Sequence, residues 1–130
     1  MKKEDLINYW IVSSESDYTA MKSLINSKDF AWALFIGHLV IEKLIKALAV
    51  KNNILLIPKI HNLNKLMEFS GLQTDEQTKD LLDIITTFNI ETRYPDYKRE
   101  FFQKCDFEFA NKYKTEIENL RLWLLGQLKK

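Results

Sequence analysis

Apolar residues at Ile7, Trp10, Ile11, Tyr18, Met21 and Ile25 fall mostly three, four or seven positions apart, which lines them along one side of a helix from about Lys3 to Asn26. Asp29 stands where a second helix can be capped, and Phe30, Ala33, Leu34, Ile36, Gly37, Val40, Ile41, Leu44, Ile45 and Leu48 leave that helix little polar surface. A helix apolar on nearly every side belongs in the middle of the molecule. Asn52 and Asn53 suit its end, Pro58 marks a loop, and a short helix is expected from near Asn62 to Gly71. Thr74 with Gln77 three residues later reads as a capping box for a helix reaching about Thr92, with Leu81, Leu82, Ile85 and Phe88 on its apolar face. Pro95 disfavours helix at Tyr94 and interrupts the pattern, so a bend is expected there. From about Asp106 a last helix carries Ala110, Tyr113, Ile117, Leu120 and Leu124 at core spacing, with Trp123 beside them. The pattern therefore predicts five helices, four of them long, in an all-α up-and-down four-helix bundle with one additional short helix.

Composition sharpens this without redirecting it. Only 3 Gly and 2 Pro in 130 residues leave few turn breakers for a chain of short strands, and the length suits one domain over 1–130. The single Cys105 cannot close an internal disulfide, and one Cys with 2 His supplies no structural zinc set, which fits a reducing, cytoplasmic location. The first ten residues do not read as a signal peptide. The most apolar stretch, 30–50, is interrupted by His38, Glu42, Lys43 and Lys46, which a bilayer-spanning helix would bury at high cost, so no membrane segment is expected.

Net charge is +1, so any attraction for a polyanion has to come from a local patch. Lys43, Lys46, Lys51, Lys59 and Lys65 form such a stretch with no acid between the first and the last, whereas 68–83 holds five acids and one lysine. Runs of this kind are commonly no more than solvated helix faces.

Two groups of residues could carry chemistry. His38, Glu42 and Lys46 follow one another at four-residue steps on the central helix and so share a face, with Lys43 close by. A polar strip on a buried helix must find partners, meet water in a cleft or face another subunit, because unpaired buried charge is costly. It is either an internal ion-pair network or the wall of a site. Arg93, Tyr94, Asp96 and Tyr97, followed by Lys98 and Arg99, combine cations, stackable rings and an acid in one bent segment, the mixture that grips phosphates and stacks on bases. The plainer reading of this segment is a buried turn in which Arg93 pairs with Glu42 or Glu91. His61, just before the N-cap position Asn62, is expected to serve local hydrogen bonding. No Gly-rich phosphate loop, nucleophile triad or metal set is present, and no cofactor is called for.

Several segments in order resemble the HEPN family of small helical domains: Trp10 and Asp17; Asp29-Phe30-Ala31-Trp32-Ala33; Ile41-Glu42-Lys43-Leu44-Ile45-Lys46-Ala47; Pro58-Lys59-Ile60-His61-Asn62-Leu63; and Arg93-Tyr94-Pro95-Asp96. The resemblance runs from about Leu6 to Leu125. It implies a four- or five-helix bundle that commonly dimerises, with a functional cleft near the dimer interface, often encoded beside a minimal nucleotidyltransferase.

Ribonuclease and toxin members of the family carry an Arg followed, after four to six intervening residues, by a His. In this chain those places after Arg93 hold Lys98, Arg99 and Glu100, and no histidine follows His61. The resemblance thus implies a nucleotide- or RNA-associated binding or regulatory module, a homodimer partnered by a nucleotidyltransferase in a toxin–antitoxin-like pair. Candidate binding residues are His38, Glu42, Lys43, Lys46, Arg93, Tyr94, Asp96 and Tyr97, and no catalytic residue is assigned. The alternatives are a divergent ribonuclease using His38 or His61, and a purely structural dimerisation domain.

Overall fold

Each helix starts and stops where a local group satisfies its free backbone ends. In the computed structural model, which describes residues 2–54 and 56–130 with the side chain of Pro95 left aside, six helices follow in order. They are α1 (Lys3–Asn26), α2 (Phe30–Lys51), α3 (Leu63–Ser70), α4 (Glu76–Arg93), α5 (Pro95–Lys104) and α6 (Phe107–Leu128). No strand occurs among the described residues.

Asn62 caps α3 by accepting from the Lys65 N–H, and Gly71 closes it with φ 85°, a left-handed conformation that a side chain would strain. Asp106 caps α6 by accepting from the Phe109 N–H at 2.9 Å. Three local expectations are corrected. Asp75, not Thr74, caps α4, its carboxylate accepting from the Thr78 N–H at 2.8 Å, because a charged acceptor suits the positive end of a helix better than a hydroxyl. Asp29 does occupy the N-cap position of α2, but its side chain accepts from the Ser27 hydroxyl at 2.6 Å instead of capping. The bend at Tyr94 is followed by a further helix, α5, which makes six helices, not five. Pro95 stands at its first position, where the missing N–H costs nothing and the fixed φ is already helical.

Cross-contacts fix the directions of the four long helices. Ser14 donates to the Val40 carbonyl at 3.0 Å and Lys3 to Asn53 at 2.9 Å, so α1 and α2 run antiparallel. Tyr18 donates to Glu118 at 2.7 Å and Arg121 pairs with Glu15, so α6 is antiparallel to α1. At one end of α4 Thr78 and Leu81 share a groove with Glu116 and Leu120; at the other Phe88 meets Phe109 and Tyr113. Helix α4 therefore opposes α6, and the four alternate in direction as an up-and-down bundle does.

At the centre of the bundle lies α2, with Leu34, Ile41, Leu44 and Ile45 buried against Met21, Leu66, Leu82, Ile85, Ile117 and Leu124 of its neighbours. Gly37 makes the close approach of three helices possible, since a Cβ there would stand 2.7 Å from Ile117 Cδ1 and 3.0 Å from Met21 Sδ. Trp123, expected beside the core, is 37% exposed at its edge. Among the described residues no helix is long and apolar enough to cross a membrane.

Candidate functional site

The four-residue period of α2 puts His38, Glu42 and Lys46 on one face, and the bundle buries the first two. A buried carboxylate needs donors on both oxygens. Lys46 Nζ lies 3.3 Å from Glu42 Oε2, and its ammonium also sits 5.1 Å from the centroid of the Trp10 ring. The loop ending at Pro58-Lys59-Ile60 supplies the second donor: His61 Nδ1 donates to Glu42 Oε1 at 2.8 Å. This contact, from nineteen residues away, replaces the local bond expected of His61.

His38 secures the same loop from below. Its Nε2 lies 3.0 Å from the His61 carbonyl oxygen, and because a carbonyl only accepts, Nε2 must carry the proton. The other nitrogen, Nδ1, is buried without a partner and is a bare lone pair in the neutral ring. Burial holds this imidazole below the ordinary histidine value of 6.5, and the His61 carbonyl and the Glu42 carboxylate, 4.0 Å away, oppose that only in part.

A testable pH dependence follows. Below the ordinary pKa the unfolded chain takes up a proton at position 38 that the folded protein refuses, so the stability His38 contributes is present above about pH 6.5 and is lost as pH falls toward its lowered folded value. Urea unfolding at pH 7.5 and 5.5 is expected to show a lower midpoint in acid, and His38→Gln, whose amide can still donate to the His61 carbonyl, should reduce that difference. An undiminished difference in the variant would assign the acid sensitivity to another group.

Lys43 takes no part in this cluster. It pairs with Asp17 of α1 at 2.6 Å, while Trp10, two turns earlier on α1, receives Lys46. The family-like positions Trp10, Asp17, Glu42, Lys43, Lys46 and His61 thus form two adjoining polar seams where α1 and the loop before α3 meet α2.

The second group lies elsewhere. Arg93, Tyr94, Asp96 and Tyr97 are exposed at the corner between α4 and α5. Arg93 Nη1 donates to Asn89 Oδ1 at 3.3 Å, one turn back on α4, and among the described residues it pairs with neither Glu42 nor Glu91. The buried-turn reading of this segment is therefore corrected: the corner faces solvent, and beyond it α5 packs back on the bundle with Phe101 buried against Phe88. Lys98 lies 5.2 Å from the centroid of Trp32, at the start of α2, and 5.5 Å from that of Phe102.

No hydrogen bond or ion pair among the described residues joins the two groups, but α4 links them. The Thr86 hydroxyl accepts from the Leu63 N–H at 3.1 Å, two residues beyond His61. Arg93 follows Thr86 by seven positions, which returns it to the same face of α4 about 10 Å further along.

The strip legible on α2 alone lacks its most accessible member, His61. The signal was a carboxylate on a core helix with one lysine in register, which left one oxygen unserved. Among the described residues no cluster of three or more His, Cys, Asp or Glu could hold a metal ion. A model of the HEPN domain matches residues 7–126. No curated protein and no solved structure matches the chain.

Proposed function

The chain belongs to the HEPN family, and from that premise we propose that it is a nucleotide- or RNA-binding module whose ligand rests on the corner between α4 and α5. The observation that carries this reading is a set of exposed cations and rings. Arg93, Lys98 and Arg99 have no carboxylate partner among the described residues, and Tyr94 and Tyr97 are 53% and 54% exposed. Cations without partners attract phosphates, and neighbouring rings offer a base a face on which to stack. With a net charge of +1 on the whole chain, attraction at this corner is local and falls steeply with salt. Family membership supports a homodimer and, as protein partner, a minimal nucleotidyltransferase in a toxin–antitoxin-like pair. Tyr94 and Tyr97 would present it with accessible hydroxyls.

Arg93→Ala is expected to weaken binding of a short fluorescent single-stranded RNA about tenfold, the loss of roughly one charge-assisted hydrogen bond. The thermal midpoint should barely move, since the side chain is exposed and its one partner, Asn89, is neutral. A lowered midpoint with unchanged affinity would make Arg93 a structural residue and remove the basis of this reading. Co-purification of the tagged protein with a nucleotidyltransferase from its own cells tests the partner separately.

A further inference from the structure

We propose that the rings where the start of α2 meets α5 are the docking surface for a protein partner, and that what docks is a short segment carrying one apolar anchor flanked by carboxylates. Trp32 of α2 and Phe102 of α5 are 39% and 38% exposed, although the next residue to each along the chain, Ala33 and Phe101 respectively, is buried or flanks a buried position. The rings are exposed yet held in place. Trp32 stands edge to face between Phe35 and Phe102, each pair of centroids 6.0 Å apart with the planes at 90°. Lys98 Nζ lies 5.2 Å from the Trp32 centroid and 5.5 Å from that of Phe102, so one ammonium serves both rings. Side chains that are already ordered lose little freedom on binding, and aromatic rings beside an arginine are what anchors a typical interface. Exposed apolar residues scattered singly call for no partner, whereas a contiguous group rimmed by charge marks a contact surface.

Charge selects the occupant. Lys98, Arg99, Phe102 and Gln103 line an open hollow of about 510 Å³, ample for one large apolar side chain. No carboxylate lines it, and neither Lys98 nor Arg99 has an ion-pair partner among the described residues. An acidic segment therefore meets two free cations beside a seat for its anchor. A lipid surface fits less well, because polybasic membrane-binding segments gather about four to eight cations and this hollow has only Lys98 and Arg99. A second copy fits less well too. On a twofold axis it would bring Lys98 and Arg99 toward their own counterparts, and its acid-rich stretch, 68–83, would reach this face only head to tail, which builds rings or open chains. Lys98 and Arg99 also belong to the cations of the corner between α4 and α5, so a docked segment takes them from RNA. That consequence rests on the binding reading; the docking rests on the rings and the hollow.

The test is selection of short random peptides on the immobilised protein. Enriched sequences are expected to share an aromatic residue or leucine flanked by aspartate or glutamate, and a synthetic peptide of that consensus should bind Phe102→Ser at least about tenfold more weakly, the loss of one anchor contact. Lys98→Glu with Arg99→Glu, at two exposed positions that leave the fold intact, should abolish this binding and create binding for the same peptide with lysine in place of its acids. Arg93→Ala should weaken RNA while leaving the peptide in place, so the two readings fail separately: a consensus peptide that binds where RNA does not keeps the docking surface and overturns the RNA reading. Enriched sequences without acids, or a charge reversal that does not transfer the preference, overturn the docking proposal. So does a dimer in sedimentation that Phe102→Ser dissociates, which gives the face to a second copy, and so does capture by phosphatidylserine vesicles that the same change abolishes, which gives it to a membrane.

Discussion

Phe88→Ala is expected to cost about 3–5 kcal/mol, the range for removing a large buried ring. Phe88 is 1% exposed, and its ring centroid lies 5.7 Å from Phe101, 6.2 Å from Phe109 and 5.4 Å from Tyr113. It therefore joins three helices: its own α4, α5 through Phe101, and α6 through Phe109 and Tyr113. The site of the cavity matters as much as its volume, because Phe101 is the only fully buried large side chain among the described residues of α5. Denaturant unfolding should show the lowered midpoint, and hydrogen exchange should show α5 opening before α1 and α2. A loss under about 1 kcal/mol would mean that the aromatic cluster closes over the gap, and α5 would then not depend on it for docking.

The long helices were legible because each obeys one rule along its whole length. In α1 the apolar positions repeat with the helical period, in α2 the near-absence of polar surface marks the centre, and in α6 the spacing from Ala110 to Leu124 is regular. What escaped was decided by competition between neighbouring residues or by tertiary contact. Thr74 and Asp75 each had a partner three residues on, and the carboxylate prevailed at the start of α4. Pro95 ends one helix and opens the next, and the sequence displays the interruption more plainly than the restart, since α5 buries little besides Phe101 and Cys105 anchors its end.

The site divides along the same line. A polar strip at four-residue steps can be read from α2 alone, but its completion by His61 depends on the path of the loop after α2, which no period encodes. Conversely, charge alone makes Glu42 or Glu91 a plausible partner for Arg93. The bundle separates them by giving Glu42 to Lys46 and His61, and Arg93 to Asn89.

Removing both donors of Glu42 is expected to be as costly as opening the core. Lys46→Met with His61→Ala would leave a carboxylate whose side chain is 5% exposed without its cation or its imidazole, and stranding one member of a buried ionic group costs about 3–5 kcal/mol. Most of that is the penalty for the lone charge and not the worth of the contacts, so a third change should restore much of it. Glu42→Met in the double variant removes the charge and keeps the volume, and replacing every member of a buried polar group by apolar side chains is often close to neutral. The cycle is measured by urea unfolding of the single, double and triple variants. In the double variant the unpaired carboxylate should also take up a proton more readily in the folded than in the unfolded state, so part of its loss should be recovered as pH is lowered toward 5, the opposite direction from the acid sensitivity that His38 gives the parent protein. If the triple variant is no more stable than the double, the loss arises from the packing of Lys46 on Trp10 and of the His61 loop on α2, and the buried charge is not what makes this seam expensive to break.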